Sequence, residues 1–466
     1  MFRFFGQYVP VKTLILVATE GAVIVASIWI AGWICLGDVE GLTYDLEIGY
    51  SLPLRLGAVV LVCLICFYYN DLYDLQIVSR RTELLIRLIQ SLGVATLILA
   101  LLYYLVPGLM FGRGISAVAA LLIWVVFVAW RLIVDAAGSF FRPDQRLLVA
   151  GTGQSGIRLV QELVLHPELN FKVLGFLDEH GENLGKRLVN PGIIGGVADL
   201  EQFVQRERVD RVVLSFAERR GQMPVHNLLR VKFSGTTVED AHSLYEKLTG
   251  RIMLERLAPS WLILSEGFRQ SSLQLFVKRV SDVMISSVLL MVTLPLSLLT
   301  ALAIYLESGR PMLFRQERVG FQGKHFVMLK FRSMRQDAEK NGPAWASHND
   351  VRITRVGRVI RRYRIDEIPQ CINVLLGDMS IVGPRPERQE FVSMLEEEIP
   401  YYIQRHAVRP GITGWAQIKY KYGSSSDDAR SKLEYELFYI KHMSVFLDAL
   451  IVFRTIQVVL FGLGAE

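Results

Sequence analysis

The chain has 466 residues, 52% of them apolar and 21% charged, with a mean hydropathy of +0.33. That length allows about three domains; that apolarity excludes a disordered chain and an enzyme facing only water, so part of the molecule faces lipid. Cys35, Cys63 and Cys66 lie in apolar runs and Cys371 stands alone, which excludes a disulfide framework and a zinc knuckle. The net charge of +6 falls wholly in residues 276–466, with 26 basic against 20 acidic side chains, and points to anionic partners such as phosphates or acidic lipid heads. Basic runs interleaved with aromatics are absent, so nucleic acid is not an expected partner.

Residues 1–142 read as four membrane helices, at 14–36, 54–69, 84–106 and 115–134, each about long enough to cross ~30 Å of hydrocarbon. The first loop carries Asp38, Glu40, Asp45 and Glu47 with no Lys or Arg, whereas Arg80, Arg81, Arg131 and Arg142 fall at the other end. Basic residues stay inside, so both ends of the bundle are expected in the cytoplasm. The opening MFRFFGQYVPVK lacks a small-residue cleavage site, and no removable signal peptide is expected. Glu20, Arg87 and Gln90 lie within helices, where pairing or snorkelling is the expected role and a polar pathway the alternative.

Residues 143–275 change register. RLLVA at 146–150 is a strand, and Gly151-Thr152-Gly153-Gln154-Ser155-Gly156 opens a helix through His166. A second strand at 171–177 ends at Asp178, a helix follows at 195–208 and a third strand at 209–216. This is βαβ alternation with GxGxxG between strand and helix, the pattern of a Rossmann-like domain. Gly151, Gly153 and Gly156 would let a pyrophosphate approach the helix N-terminus. Asp178 sits 27 positions past Gly151, late for a ribose acid. No Tyr-x-x-x-Lys pair follows within the segment, so a fold kept for packing or regulation stands beside nucleotide binding.

Lys278 and Arg279 precede 22 mostly apolar residues at 284–305, and Arg310, Arg315 and Arg318 follow. The length permits a crossing, but a crossing would put one basic flank outside. Pro295 removes a backbone bond in mid-run and bends the helix, with Ser286, Thr293 and Ser297 near enough to satisfy freed groups. The expectation is a re-entrant helix. At the end of the chain, 445–463 scatters Asp448, Arg454 and Gln457 among apolar residues, like an interfacial helix.

The stretch RRYRIDEIPQ, 361–370, sets two carboxylates beside three arginines. Pro369 fits the first turn of a helix, so the helix to Leu376 is expected to start near Asp366, with Asp366 and Glu367 at the positive end of its dipole. Alone, this reads first as a cap with ion pairs. The basic loops widen the picture: FRQERVG at 314–320, KFRSM at 330–334, GPRP at 383–386 and VRPGITGW at 408–415. Arginines among Gly and Pro project from fixed turns, and several beside an acidic pair make a pocket for phosphoryl groups. For any single arginine, a solvated surface remains the alternative.

From Lys278 onward, FRQERVG, KFRSM, RITRVGR, DEIPQ, NVLLGDMSIVGPRP and RPGITGWAQ resemble the bacterial polyprenyl-phosphate phosphoglycosyl transferases of the monotopic type, over about 190 residues. The bundle and GxGxxG domain resemble the enlarged members that start exopolysaccharide repeat units, and FGQYVP and VVLFGLGAE look like the exosortase-linked subgroup. The resemblance implies a membrane α-helical bundle (1–142), a Rossmann-like α/β domain (143–275) and a mixed, mainly α monotopic catalytic domain with a re-entrant helix (276–466). It implies transfer of a sugar 1-phosphate from a UDP-sugar donor to polyprenyl phosphate, with UMP released and a covalent intermediate on Asp366. It further implies Mg²⁺ held with help from Asp366 or Glu367, a homodimer, and a catalytic domain on the cytoplasmic face of the bacterial inner membrane.

Arg361 and Arg385 match arginines that order the family's active site. Lys330, Arg332 and Arg409 match its motifs and are assigned to phosphate or nucleotide contacts, with Arg315 and Arg318 beside them; Pro295 matches its helix-breaking proline. One departure is KLEYELFY at 432–439, where the family usually has KLEYDLYY: Glu436 carries its charge one methylene further out. Two rivals are an NAD(P)-dependent nucleotide-sugar dehydratase built on GTGQSG and a non-catalytic nucleotide sensor. The missing Tyr-x-x-x-Lys opposes the first, and the intact acidic pair opposes the second.

Overall fold

The computed structural model describes all residues except 1, 5–6, 10, 38–49, 71, 74–80, 141–144, 180–182, 187, 217–222, 256, 258, 260–261, 263–264, 266, 337–351, 421–424 and 461–466; for 2–4, 7–9, 11–13, 81–83, 113, 135–140, 168 and 460 only the backbone is described. The acidic loop residues Asp38, Glu40, Asp45 and Glu47, together with Arg80, Arg142, the side chain of Arg81 and the end of VVLFGLGAE, lie outside the described residues. The chain forms two compact units, Tyr8–Glu239 and Asp240–Glu466.

The first unit begins with α1 (Val11–Leu36), α2 (Leu52–Tyr69), α3 (Arg81–Leu105) and α4 (Arg113–Phe140). Each holds an apolar stretch of 18 to 23 residues, long enough to span a membrane. Ile24, Cys63, Phe67, Leu88, Leu92 and Phe127 fill the interior, yet Leu97, Leu101, Leu121 and Val125 are exposed. Helices apolar on both faces belong in lipid. The charges inside are paired: Arg131 Nε lies 2.7 Å from Glu20, Tyr73 Oη donates to Glu20 at 2.7 Å, and Arg131 Nη2 donates to the Leu72 carbonyl. Arg87 donates to the Asn70 carbonyl at 3.1 Å, and Gln90 is exposed. Glu20 and Arg87 therefore tie segments together.

A five-stranded sheet follows, from β1 (Gln145–Ala150), β2 (Phe171–Asp178), β3 (Ile193–Gly196), β4 (Arg211–Leu214) and β5 (Thr237–Asp240), in the order β3-β2-β1-β4-β5. The pairs β1–β2, β1–β4 and β2–β3 are parallel. Helices α5 (Gln154–Leu165), α6 (Leu200–Glu207) and α7 (Val225–Phe233) lie along the connections. Leu148, Ala150, Leu177 and Val212 are wholly buried, as strands covered on both faces require. The helix expected from 195 begins at Leu200, because Ile193–Gly196 is an edge strand and Val197–Asp199 a 3₁₀ turn.

The second unit contains α8 (Ala241–Thr249), α9 (Ser272–Ser308), the antiparallel hairpin β6 (Leu313–Val319) and β7 (His325–Phe331), α10 (Arg355–Arg362), α11 (Gln370–Leu376), β8 (Ser380–Val382), α12 (Gln389–Glu398), β9 (Gly411–Thr413), α13 (Trp415–Lys419), α14 (Ser426–His442) and α15 (Val445–Leu460). Its core gathers Leu433, Leu437 and Tyr439 of α14 with Met379, Val382, Trp415 and Ile451. The described residues of 240–275, expected in the middle domain, belong to this unit instead. Ile252, Leu254 and Leu257 are buried in this core, Ile252 N–H bonds the Glu434 carbonyl at 3.0 Å, and Glu246 pairs with Lys441 and His442. Short apolar residues between polar ones gave no sequence signal for that boundary.

α9 runs unbroken through Pro295 and starts twelve residues before the expected 284. Ser271 and Gln274 form a reciprocal cap at its start. Asp282, Ser286, Thr300 and Ile304 are buried, whereas Met284, Val288, Met291, Val292, Leu298 and Leu299 are exposed. Thr293 Oγ1 donates to the Leu289 carbonyl at 2.6 Å; the Ser286 and Ser297 hydroxyls have no partner among the described residues and do not serve the carbonyl that Pro295 frees.

Candidate active site

The acidic pair is built from the chain outward. Thr354 caps α10 by accepting from Gly357 N–H at 2.9 Å, and Glu307, in the last turn of α9, accepts from the N–H groups of Arg355 and Val356 at 2.8 and 3.0 Å. Gly357 lies against the Ser333 carbonyl, where any Cβ would overlap it. After α10, Arg364 takes a left-handed conformation (φ 56°) and reverses the chain into a 3₁₀ turn, Ile365–Glu367. The helix to Leu376 thus starts at Gln370, not near Asp366. Bonds from Glu367 N–H to Arg364 and from Ile368 N–H to Ile365 tighten the acidic segment into its own turn, and Pro369 immediately precedes α11.

Asp366 and Glu367 are each 8% exposed, but their surroundings differ. Glu367 Oε1 accepts from Arg385 Nη2 at 2.9 Å, with Arg364 Nη1 at 3.5 Å and Lys330 Nζ at 3.6 Å. Burial alone would raise the Glu367 carboxyl; Arg385, Lys330 and Arg364 outweigh it and hold it well below the usual range. Burial and the neighbouring Glu367 charge push Asp366 up, against partial relief from Lys330, Arg361 and Arg364. Asp366 Oδ1 is buried without a partner among the described residues. One carboxylate is bonded to cations; the other keeps one buried oxygen without a hydrogen bond among the described residues.

The supporting cations are positioned by elements far apart in sequence. Asn373 on α11 accepts from Leu329 N–H at 3.0 Å and donates to the Val327 carbonyl at 2.7 Å, completing the edge of β7 and setting Lys330 beside Glu367. Arg385 follows β8, which pairs in parallel with β9, Ser380 opposite Gly411 and Val382 opposite Thr413. A Cβ on Gly383, Gly411 or Gly414 would meet the facing backbone, so these glycines allow GPRP and RPGITG to touch.

Other expected site residues make different bonds. Arg332 Nη2 donates to the Ser308 carbonyl and hydroxyl and the Gly309 carbonyl, closing the end of α9. Arg409 Nε donates to Gly377 at the end of α11 and its guanidinium stacks over Phe321. Arg318 bonds Gln316, the Pro386 carbonyl and Glu387, while Arg315 is exposed on β6. The structure brings Lys330, Arg361, Arg364 and Arg385 to the acids. Arg364, Asn373, Arg405 and Glu436 carry no role legible in sequence; the left-handed turn and the buried partners reveal them.

At the start of α9, Lys278 Nζ bonds Asp448 at 2.6 Å and the Val382 carbonyl at 3.1 Å. Arg279 donates to the carbonyls of Val374 and Leu375, and Asp282 accepts from Ser380 Oγ and Ile381 N–H.

In the α/β domain, Gly151, Gly153 and Gly156 meet at the end of β1, packed against Ser215 just beyond β4. Ser215 Oγ accepts from Gly156 N–H at 2.7 Å and donates to the Gly153 carbonyl at 3.0 Å. Asp178, at the end of β2, accepts from Asn183 N–H and its side-chain amide, each at 3.4 Å. The glycine turn makes room for Ser215.

The chain matches the bacterial sugar transferase family over residues 273–462 and a CoA-binding domain family over residues 69–232. It is 44% identical over 239 residues to a UDP-N-acetylgalactosamine-undecaprenyl-phosphate N-acetylgalactosaminephosphotransferase of Aeromonas hydrophila, covering 51% of this chain and 56% of that protein. It is 31% identical over 391 residues to an undecaprenyl-phosphate glucose phosphotransferase of Komagataeibacter xylinus, covering 78% of this chain and 72% of that protein. A UDP-glucose:undecaprenyl-phosphate glucose-1-phosphate transferase of Klebsiella pneumoniae is 31% identical over 342 residues, 71% of this chain and 72% of its own. With its carboxylate pair, its arginine loops and these matches, the chain belongs to the bacterial sugar transferase family, the polyprenyl-phosphate phosphoglycosyl transferases.

Proposed function

We propose that this protein transfers a sugar 1-phosphate from a UDP-sugar to polyprenyl phosphate, releasing UMP, through a phosphosugar carried on Asp366, as the first membrane step of exopolysaccharide synthesis. The observation that carries this is the asymmetry of the acidic pair. Glu367 is bonded to Arg385, while Asp366 Oδ1 is buried and unpartnered among the described residues. In the first step Asp366 Oδ1 attacks the sugar-bearing phosphorus, and the bond to the bridging oxygen breaks with its electron pair leaving on UMP. An oxygen of polyprenyl phosphate then attacks the same phosphorus and frees the carboxylate. Splitting the transfer in two conserves its driving force in an acyl phosphate. Arg361 and Lys330 face the charge that develops, and Arg385 keeps Glu367 from repelling the donor.

Mg²⁺ is tested against the same residues. Among the described residues no three His, Cys, Asp or Glu side chains group to cage a metal. Magnesium is commonly held by one or two carboxylates together with substrate phosphates, which the Asp366 oxygen that does not attack would fit; Glu367 Oε1 is already occupied by cations. Bound there, the ion would neutralise pyrophosphate charge.

The helix α9 is read as re-entrant, with the catalytic unit on the cytoplasmic face of the bacterial inner membrane. A straight helix from Arg279 to Ser308 would run about 45 Å, past the ~30 Å hydrocarbon core. Both of its ends are nevertheless bonded to one unit. Arg279 holds the end of α11, Ser308 is held by Arg332 just past β7, and Asn373 joins α11 to β7. Fastening at both ends within one unit supports a dip and return.

The strand order supports a Rossmann-like middle domain, and its self-filled glycine turn favours packing or regulation over nucleotide binding. The enlarged architecture is read as a homodimer. The decisive assay is a UDP-sugar panel with polyprenyl phosphate and Mg²⁺, scored for UMP. UDP-N-acetylgalactosamine and UDP-glucose lead it, after the names of the relatives. Absence of UMP with every donor would refute the transfer.

A further inference from the structure

We propose that Arg405 and Glu436 are positioning residues for this transfer: they fix the backbone of Arg385 so that its guanidinium stays on Glu367 and Asp366 remains the unpaired acid. Arg405, on the 3₁₀ turn Tyr402–Ala407, and Glu436, on α14, are each 5% exposed. Arg405 donates from Nε and Nη2 to the two oxygens of Glu436 at 2.9 and 2.7 Å, and from Nη1 to Tyr402 Oη at 2.6 Å. The same Nη2 also donates to the Arg385 carbonyl at 2.8 Å.

The local sequence makes that bond consequential. Arg385 stands between Pro384 and Pro386, which have no N–H and a fixed φ, so this segment is held by its carbonyls. Three elements take three successive carbonyls: Gly411 N–H bonds Pro384 at 2.9 Å, Arg405 bonds Arg385, and Arg318 Nη1 bonds Pro386 at 3.1 Å. The middle bond belongs to the residue whose side chain reaches the acidic pair. A planar fork, clamped on one edge by Glu436, fixes where that carbonyl sits in a way that a single point charge would not. A buried ion pair of this kind gives little net stability over apolar side chains of similar volume, so stability alone does not account for it.

The inference rests on the proposed transfer, and its test separates the two. The double variant Arg405→Met/Glu436→Leu removes both charges and keeps the volume. It is expected to unfold at a temperature close to the parent's while releasing UMP about 100-fold more slowly, the scale of a 1 Å misplacement. In an Arg385→Ala background the same two substitutions should cost less than about 3-fold, because they act through a side chain already gone. Equal losses in both backgrounds, or parent-like turnover in the double variant, overturn the proposal. Should the double variant fail to fold, Arg405→Lys keeps the charge without the fork and is expected to retain folding with the same kinetic loss; parent-like turnover there also overturns it. If the parent itself releases no UMP, the transfer fails, and a structure of the variant decides the positioning: Arg385 still hydrogen-bonded to Glu367 overturns it.

Discussion

Replacing Asp366 by Asn should abolish turnover and make the protein more stable. The carboxylate at this position is buried, has an unpartnered Oδ1 among the described residues and sits beside an ionised neighbour, so at pH 7 its charge is held at a cost. Each unit by which the native carboxyl is raised corresponds to about 1.4 kcal/mol, and an isosteric amide would recover on the order of 1–3 kcal/mol. For a folding unit of about 150–250 residues each kcal/mol moves the melting temperature by ~2–4 °C, giving a rise of roughly 2–12 °C. The pH dependence has a defined sign. Because the folded-state carboxyl titrates above its unfolded value, the cost is fully present above the folded pKa and disappears below the unfolded value near ~4. The gain of Asp366→Asn over the parent should therefore be full at pH 7.5 and vanish toward pH 4. Thermal melts of both proteins in one detergent across that range, with UMP release measured in parallel, test it. A variant that melts lower than its parent, gains the same at every pH, or still turns over would refute the assignment of Asp366 as the stored, unpaired nucleophile.

The companion substitution Glu367→Gln should do the reverse, costing about 3 kcal/mol by stranding Arg385 and Lys330 against a neutral amide; an unchanged melting temperature would contradict the pairing. Arg361→Gln removes a cation that eases Asp366, so the acid limb of UMP release should shift to higher pH, and a shift downward would show that Arg361 does not act on Asp366. For re-entry, Arg315→Cys and Glu317→Cys, both exposed and placed in a chain without its four native cysteines, should react with an impermeant maleimide only in inverted inner-membrane vesicles. Labelling in right-side-out cells would mean that α9 crosses.

Much of this architecture was legible because lipid and sheet impose strong patterns. Four apolar runs with one acidic loop, and RLLVA followed by GxGxxG, dictate a bundle and a parallel α/β domain through burial alone. The acidic pair and Arg385 were legible for another reason, since Gly and Pro mark turns wherever they fall. What stayed hidden depends on partners far apart in the chain. Arg332 and Arg409 stand in equally arginine-rich motifs, yet they close helix ends at Gly309 and Gly377. No local pattern distinguishes an arginine aimed at a helix terminus from one aimed at a phosphate.

The same limit explains Glu436. In sequence, Glu436 shows only an extra methylene; in the fold that length meets Arg405, 31 residues upstream, and through it the Arg385 carbonyl. The charge that matters at Asp366 is thus set by a chain of contacts from α14 through a 3₁₀ turn to a proline-bound arginine, and each link is a buried polar group whose alternative partner would be nothing. Folding tolerates coordinated change in such a chain; turnover does not. Glu436→Asp alone should slow UMP release, since it shortens one arm of a clamp whose other contacts remain in force; parent-like turnover would show that the length of that arm does not matter.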